Sequence, residues 1–205
     1  MQDTRVCKIT YYNWSTYIFW AISFFVTSIA LRWIHESLHG LFAILTGGGA
    51  GEVFIVDWVL FYPIFAINVW GGNPFWVVEG TLIFTWLIAL CIVIFTSYPF
   101  LSRTMSNVCD AVNVSGWLFG VRLGAIFEMF GQSIYALPNF LVFLGDLQHA
   151  TGDGYYMATL FESLGYPAEL QYVIAITMLL GSFFTLVWSL KCDPMFCGYC
   201  SYTVG

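Results

Sequence analysis

Residues 17–46 read YIFWAISFFVTSIALRWIHESLHGLFAILT and are followed by Gly47, Gly48 and Gly49. The first half is almost entirely apolar, and the charged and imidazole side chains stand in the second half. As a helix, this stretch would extend about 45 Å, which exceeds the hydrocarbon core of a membrane, about 30 Å thick. The sequence therefore predicts a transmembrane helix over 17–46 that ends at the glycines.

The composition of the whole chain agrees with a membrane location. Of its 205 residues, 60% are hydrophobic, 20% are aromatic and only 9% are charged. Soluble domains devote about a quarter of their residues to charged side chains, so an ordinary soluble domain is excluded. The net charge is −6, and the six basic residues are scattered. We therefore expect contact with a lipid bilayer and no nucleic-acid partner.

The predicted fold is an all-α integral membrane protein in one domain, 1–205, with about four transmembrane helices and a short membrane-associated β-hairpin or re-entrant segment. The expected spans are about 17–46, 76–101, 116–147 with a break at Pro138, and 170–190. Residues 52–70 are rich in β-branched and aromatic side chains and contain Pro63, which favours the hairpin. Residues 102–115 are polar and predict a loop, and 191–205 form a cysteine-bearing tail.

The basic residues near the spans predict the orientation in the membrane. With four crossings, Arg5, Lys8, Arg103 and Lys191 all fall on one side. Short cytoplasmic segments carry an excess of Lys and Arg, so both termini are expected in the cytoplasm.

The most specific motif is His35-Glu36-Ser37-Leu38-His39, an H-E-x-x-H pattern on the first predicted helix. Residues four apart share a helical face, so both imidazoles can reach one Zn²⁺. Glu36 can then take a proton from the attacking water. The alternative is that all three groups are hydrogen-bonded within a helix bundle. An ionised group at mid-bilayer costs about 2.5–3.5 kcal/mol, which favours a metal or a polar cavity.

A catalytic zinc site normally has a third protein ligand and one open position. Three residues are candidates: Asp146, His149 and Asp153. Asp153 is favoured because Gly152 and Gly154 flank it, and a turn there would begin the next helix with the carboxylate pointing inward. For Asp146 and His149, a polar loop at the membrane surface is the alternative.

Together these motifs resemble the site-2 proteases, a family of intramembrane zinc metalloproteases. The resemblance is carried by the H-E-x-x-H helix with Ala43 and Gly47 after it, by the β-like hairpin, and by Asp153-Gly154. It implies that His35, His39 and Asp153 bind Zn²⁺ and that Glu36 activates water. It also implies that Asn139, after Pro138, holds the substrate strand or the oxyanion. The sequence departs from the family pattern at Leu38 and Gly152.

The resemblance implies a zinc metalloprotease that cleaves a transmembrane segment of a substrate protein. The alternative is a non-catalytic accessory subunit of a larger membrane enzyme or transport complex, since the chain has almost no soluble segments. The partners would then be the subunits of that complex. A metal transporter is less favoured because no second span repeats the ligand set.

Other polar residues in the apolar regions need separate explanations. Glu128 lies deep in the third expected span and must face a cavity, a partner or the metal region. Arg122 is expected to extend toward the membrane interface, and Glu79 is expected at that interface. In the tail, Cys192, Cys197 and Cys200 could bind a soft metal, form a disulfide, carry palmitate or remain free thiols.

Overall fold

Helices make up most of the protein in the computed structural model, which describes residues 7–9, 13–59, 62–138, 153–193 and 202–204. The elements in chain order are β1 (Cys7–Ile9), α1 (Trp14–Leu45), β2 (Gly49–Val59), β3 (Tyr62–Trp70), a π-helical turn (Trp76–Gly80), α2 (Thr81–Thr96), α3 (Tyr98–Thr104), α4 (Val108–Trp117), α5 (Phe119–Tyr135), α6 (Asp153–Ser163), α7 (Glu169–Cys192) and β4 (Tyr202–Val204).

Helix α1 has a defined start and a defined end. Asn13 caps the start, because its side-chain oxygen accepts a hydrogen bond from the Thr16 amide at 2.9 Å. The helix ends at Leu45, and Gly47 adopts φ +90°, a left-handed conformation that suits glycine. The predicted helix that stops at the glycines is confirmed.

Three helical segments among the described residues are long and apolar enough to cross a membrane: Trp14–Leu45, Trp76–Thr96 and Glu169–Cys192. They indicate a membrane protein, as the composition predicted. The prediction of about four spans is wrong for the described part of the chain. The third expected span, 116–147, contains the 17-residue helix α5, which would cover only about 26 Å of a core about 30 Å thick. Residues 139–147 lie outside the described ranges.

The predicted loop over 102–115 is also wrong, because most of it is helical. Helix α3 covers Tyr98–Thr104, and α4 covers Val108–Trp117. The Asn107 side chain accepts a hydrogen bond from the Cys109 amide at 3.0 Å and caps α4. The polar residues that suggested a loop therefore include a helix cap and the exposed positions of a short helix.

The predicted β-hairpin is confirmed. Strands β2 and β3 are antiparallel, with a register from Gly49 opposite Trp70 to Val59 opposite Tyr62 and with two bulges. The strands pack beside α1. A second, parallel pair joins β1 to β4, with Cys7 opposite Tyr202 and Ile9 opposite Val204. The cytoplasmic location of both ends stays a prediction.

Helix α5 crosses α1 in close contact because two glycines face α1. A methyl group at Gly120 would lie 2.4 Å from the Trp20 carbonyl oxygen, and one at Gly124 would lie 2.6 Å from that of Phe24. Only glycine permits backbones to approach this closely, as in small-xxx-small helix pairs. The spacing of four continues to Glu128, so this carboxyl is also directed at α1.

Glu128 joins α1, α5 and the hairpin. Its Oε1 accepts hydrogen bonds from Ser28 Oγ and from the Tyr62 hydroxyl, each at 2.6 Å. Burial and the neighbouring carboxyl raise the pKa of Tyr62, so its hydroxyl remains a donor. Glu128 was expected to face a cavity, a partner or the metal region. It has hydrogen-bond partners within the chain, and it holds the Tyr62 end of β3.

Arg122 does not extend to the interface as expected, because its side chain is only 1% exposed. Its Nη1 donates to the carbonyl oxygens of Thr96 at 2.6 Å and Ser115 at 2.8 Å. Its Nη2 pairs with the buried carboxylate of Asp193. One guanidinium therefore links the ends of α2, α4 and α7.

Candidate metal centre

The structure brings together three of the predicted site residues. His35 and His39 lie on the buried face of α1, and Asp153 is the first residue of α6. The Nε2 atoms of His35 and His39 are 3.2 Å apart. Asp153 Oδ2 lies 3.4 Å from His35 Nε2 and 3.5 Å from His39 Nε2. In a tetrahedral zinc site with bonds of about 2.0–2.1 Å, ligand atoms are about 3.3–3.4 Å apart. The three atoms therefore have the spacing of metal ligands.

The hydrogen bonds on the far sides of the rings fix how the imidazoles are protonated. His39 Nδ1 lies 2.6 Å from the Val77 carbonyl oxygen, which can only accept, so Nδ1 is the donor. His35 Nδ1 lies 3.3 Å from Thr85 Oγ1. The Thr85 hydroxyl already donates to the Thr81 carbonyl oxygen at 2.8 Å, so it accepts from His35. In the neutral rings both Nε2 atoms thus carry lone pairs, as metal-binding histidines require.

Three electron-rich atoms consequently converge in a buried space. Asp153 Oδ2 is buried and makes no hydrogen bond within the described structure. Two imidazole lone pairs and a carboxylate at this spacing repel one another unless a cation lies between them. Two nitrogens and one oxygen form a ligand set that suits Zn²⁺. The group could hold a metal ion, and its chemistry fits one.

A proton on one Nε2 is the other way to relieve this repulsion. Burial raises the pKa of Asp153, but when Nε2 is protonated the adjacent imidazoles of His35 and His39 outweigh burial and hold that pKa well below its usual range. In that protonated state, Asp153 is ionised at neutral pH. An ionised carboxylate is the form that binds a metal.

A cleft of about 430 Å³ lies beside the three candidate ligands. Its walls come from α1, β3, the segment before the π-helical turn, the turn itself and α6. The lining residues are Glu36, His39, Ala66, Ile67, Val69, Gly71, Pro74, Val77, Val78, Asp153 and Tyr156. Glu36 is half-buried, and it shares this cleft with two of the ligands. A carboxylate thus faces the cleft beside the group that could hold a metal ion.

Several residues around the centre were not identified from the sequence. Thr81 and Thr85 are four apart in an apolar span, a spacing that could have indicated a polar face directed at the histidines. Tyr135 packs against His35 with ring centroids 6.3 Å apart, and the Arg32 guanidinium lies 5.0 Å from the centre of that tyrosine ring. No local sequence signal distinguishes Tyr135 from the other aromatic residues.

Some predicted site residues lie outside the described part of the chain. Asn139 is one, and the alternative ligands Asp146 and His149 are two more, so their roles stay predictions. In the tail, Cys192 ends α7, whereas Cys197 and Cys200 also fall outside the described ranges.

The fold and the site together define a class: a helical membrane protein with a buried group of two histidines and one aspartate that could hold a metal ion. Comparisons with protein-family models, with curated proteins and with solved structures find no match to the chain.

Replacing Thr85 with valine tests whether its hydrogen bond to His35 Nδ1 contributes to metal binding. The substitution keeps the shape of the side chain but removes the oxygen that accepts from His35 Nδ1. We expect the affinity for Zn²⁺ to fall about 10- to 100-fold, the usual cost of losing such a partner. Isothermal titration of the purified chain with Zn²⁺ measures this. Thr96→Val is the matched control, because the Thr96 hydroxyl also bonds to its own helix, at Ile92, near the far end of α2. Equal affinities for both variants would contradict the assigned role.

Proposed function

We propose that the protein is an intramembrane zinc metalloprotease that cleaves a transmembrane segment of another protein. The observation that carries the proposal is the convergence of His35, His39 and Asp153 beside a cleft that Glu36 lines. Sites of this composition with an adjacent carboxylate are suited to hydrolysis by an activated water. The resemblance of the H-E-x-x-H helix and Asp153-Gly154 to site-2 proteases supports the same reaction.

Each residue of the centre has a distinct role in this proposal. Zn²⁺, when bound, would polarise the scissile carbonyl and lower the pKa of water. His35 and His39 hold the metal through Nε2, and their Nδ1 bonds to Thr85 and Val77 fix the ring orientations. Glu36 takes the proton from the attacking water and passes it to the leaving amine. Asn139 would hold the substrate strand or the oxyanion.

The hairpin suggests how a substrate would enter the cleft. Strand β3 contributes Ala66, Ile67 and Val69 to the cleft wall. Among the described residues, the sheet has only two strands, so one edge of β3 has no strand beside it. A transmembrane helix must unwind before its carbonyl groups become accessible, and an extended segment can add to a sheet edge. We propose that the substrate pairs with β3 in this way.

Replacing Glu36 with glutamine tests the reaction. The change removes the base but no metal ligand, so metal content should stay the same while cleavage falls at least about 100-fold. The assay uses the purified chain in detergent with transmembrane-helix substrates, and metal analysis is run on the same samples. Glu162→Gln, an exposed glutamate on α6, is the matched control and should cleave normally. Cleavage retained in Glu36→Gln would refute the mechanism.

A non-catalytic accessory subunit is the second candidate. Large apolar side chains such as Val173, Phe183 and Phe184 are exposed along α7, and neighbouring subunits could cover them as well as lipid could. Extraction in a mild detergent separates the two candidates. If the extracted chain migrates without other subunits and is proteolytically active, the protease is supported. If it migrates in a stable stoichiometric complex without cleavage activity, the accessory subunit is supported.

A further inference from the structure

The π-helical turn Trp76–Gly80 makes two polar contacts that lead to the metal centre. On one side, the carbonyl of Val77 orients His39 through the 2.6 Å hydrogen bond to Nδ1. Two residues further on, Glu79 is completely buried, although the sequence predicted it at the interface. Its Oε2 accepts a hydrogen bond from Gln171 Nε2 on α7 at 3.1 Å. The turn thus contacts the ligand His39 directly through Val77, and it contacts Gln171 in the core through Glu79.

Gln171 carries that contact to the end of α5. Its Nε2 also donates to the carbonyl oxygen of Ala136 at 3.2 Å, and both residues are fully buried. The Ala136 peptide group is therefore fixed from the side of α7. Glu79 holds the Gln171 amide in the orientation that makes this second hydrogen bond possible.

The start of α6 rests on the same peptide group. A methyl group at Gly154 would lie 2.3 Å from the Ala136 oxygen and 2.5 Å from its carbonyl carbon. Gly154 directly follows Asp153, so the backbone beside the third ligand is in contact with the group that Gln171 holds. Asp153 Oδ2 has no hydrogen-bond partner among the described residues, so the backbone contact at Gly154 helps to set its position.

We infer that Glu79 and Gln171 are positioning residues for the metal centre, which set the location of Asp153 through Ala136 and Gly154. The inference rests on the metal centre of the proposed function. The π-helical turn then places two ligands together: His39 through the Val77 carbonyl, and Asp153 through Glu79. Single π-helical turns of this kind are frequent at functional sites.

The polar character of the link supports a functional role. A buried carboxyl and a buried amide are costly in a membrane protein, and apolar side chains could join the same helices without that cost. Glu79 Oε1 and Gln171 Oε1 even lack a hydrogen-bond partner in the described structure. Only a hydrogen-bonding side chain, however, can fix the orientation of the Ala136 carbonyl.

The test measures metal binding by Glu79→Leu, Glu79→Gln and Gln171→Leu in the full chain in detergent. Titration with Zn²⁺ gives the affinity, and the visible spectrum of bound Co²⁺ reports the ligand set. We expect both leucine variants to bind Zn²⁺ about 10- to 100-fold more weakly and to change the Co²⁺ spectrum, because the Asp153 oxygen is displaced. Glu79→Gln retains an accepting oxygen and should restore the affinity and spectrum of the unaltered chain.

Ser182→Ala is the matched control for a general loss of packing. Ser182 also joins the helices α2, α5 and α7, through Trp86 Nε1 at 2.9 Å and Ser133 Oγ at 3.1 Å, but this link does not reach Asp153. It should lower the thermal unfolding temperature without weakening Zn²⁺ binding. If the leucine variants bind like the unaltered chain, or if Ser182→Ala weakens binding equally, the inference is wrong while the metal centre stands. If the unaltered chain binds no metal, both fail.

Discussion

Purified His39→Ala protein is expected to contain almost no zinc, whereas the unaltered chain should contain about one ion per molecule. The substitution removes one of the three converging ligand atoms and leaves His35 and Asp153 as the remaining pair. It also removes the hydrogen bond to the Val77 carbonyl, so the α1 side of the centre loses its fixed orientation. Two ligands on separate elements cannot retain Zn²⁺ through purification with a competing chelator.

Elemental analysis of the two proteins measures this effect. Ser37→Ala is the control, since Ser37 lies between the two histidines on α1 and its hydroxyl donates to the Trp33 carbonyl oxygen of the same helix. It should contain as much zinc as the unaltered chain. An unchanged metal content in His39→Ala would remove the basis for every catalytic role assigned here. A loss of zinc in His39→Ala would also be expected for an accessory subunit with a metal site. The cleavage assay on Glu36→Gln is therefore the separate test of proteolysis.

The sequence was sufficient to predict the features that depend on local patterns. Residues 17–46 combine a long apolar run with a glycine stop, and α1 ends as those glycines require. The H-E-x-x-H spacing places both histidines on one face of any helix, whatever the rest of the fold. The richness of residues 52–70 in β-branched and aromatic side chains likewise favoured the hairpin.

The third candidate ligand could be limited to three residues but not decided from the sequence. Its place depends on where the start of α6 meets the end of α5, and that contact is set by Gly154 against Ala136. A glycine after an aspartate is common in turns, so the sequence does not single out Gly154. The structure shows that a side chain at this position would not fit, because the backbone of Ala136 lies against it. The Gly120-x-x-x-Gly124 spacing, in contrast, was a readable signal for the close crossing of α1 and α5 that sequence analysis missed.

Charged residues in apolar segments were misplaced because their partners are far away in sequence. Glu79 was expected at the interface, but its hydrogen-bond partner Gln171 is 92 positions further along the chain. Arg122 was expected to extend out of the membrane, but it pairs with Asp193, 71 positions away. The general preference for placing charges at the interface applies when no buried partner exists. Long-range pairing overrides that preference, and a single sequence does not reveal it.

Replacing Arg122 with methionine should produce the largest loss of stability among these variants. Methionine fills part of the volume but supplies no donor for the carbonyl groups of Thr96 and Ser115. It also removes the cation that faces the buried Asp193 carboxylate. Breaking a buried ion pair from one side usually costs about 3–5 kcal/mol, so the free energy of unfolding should fall by that amount. Denaturant unfolding in detergent, followed by helicity, measures the change.

A second substitution separates the ion pair from the loss of packing. In the double variant Arg122→Met with Asp193→Asn, the carboxylate that faces Arg122 is replaced by a neutral amide, so part of the lost stability should return. Arg103→Met removes an exposed arginine at the end of α3 and should change the free energy of unfolding by less than about 0.5 kcal/mol. If Arg103→Met and Arg122→Met lower the free energy of unfolding by similar amounts, burial and pairing do not explain the contribution of Arg122 to stability. Arg122 contacts the ends of α2, α4 and α7. Its replacement should therefore destabilise all three helices, and they should unfold in one transition.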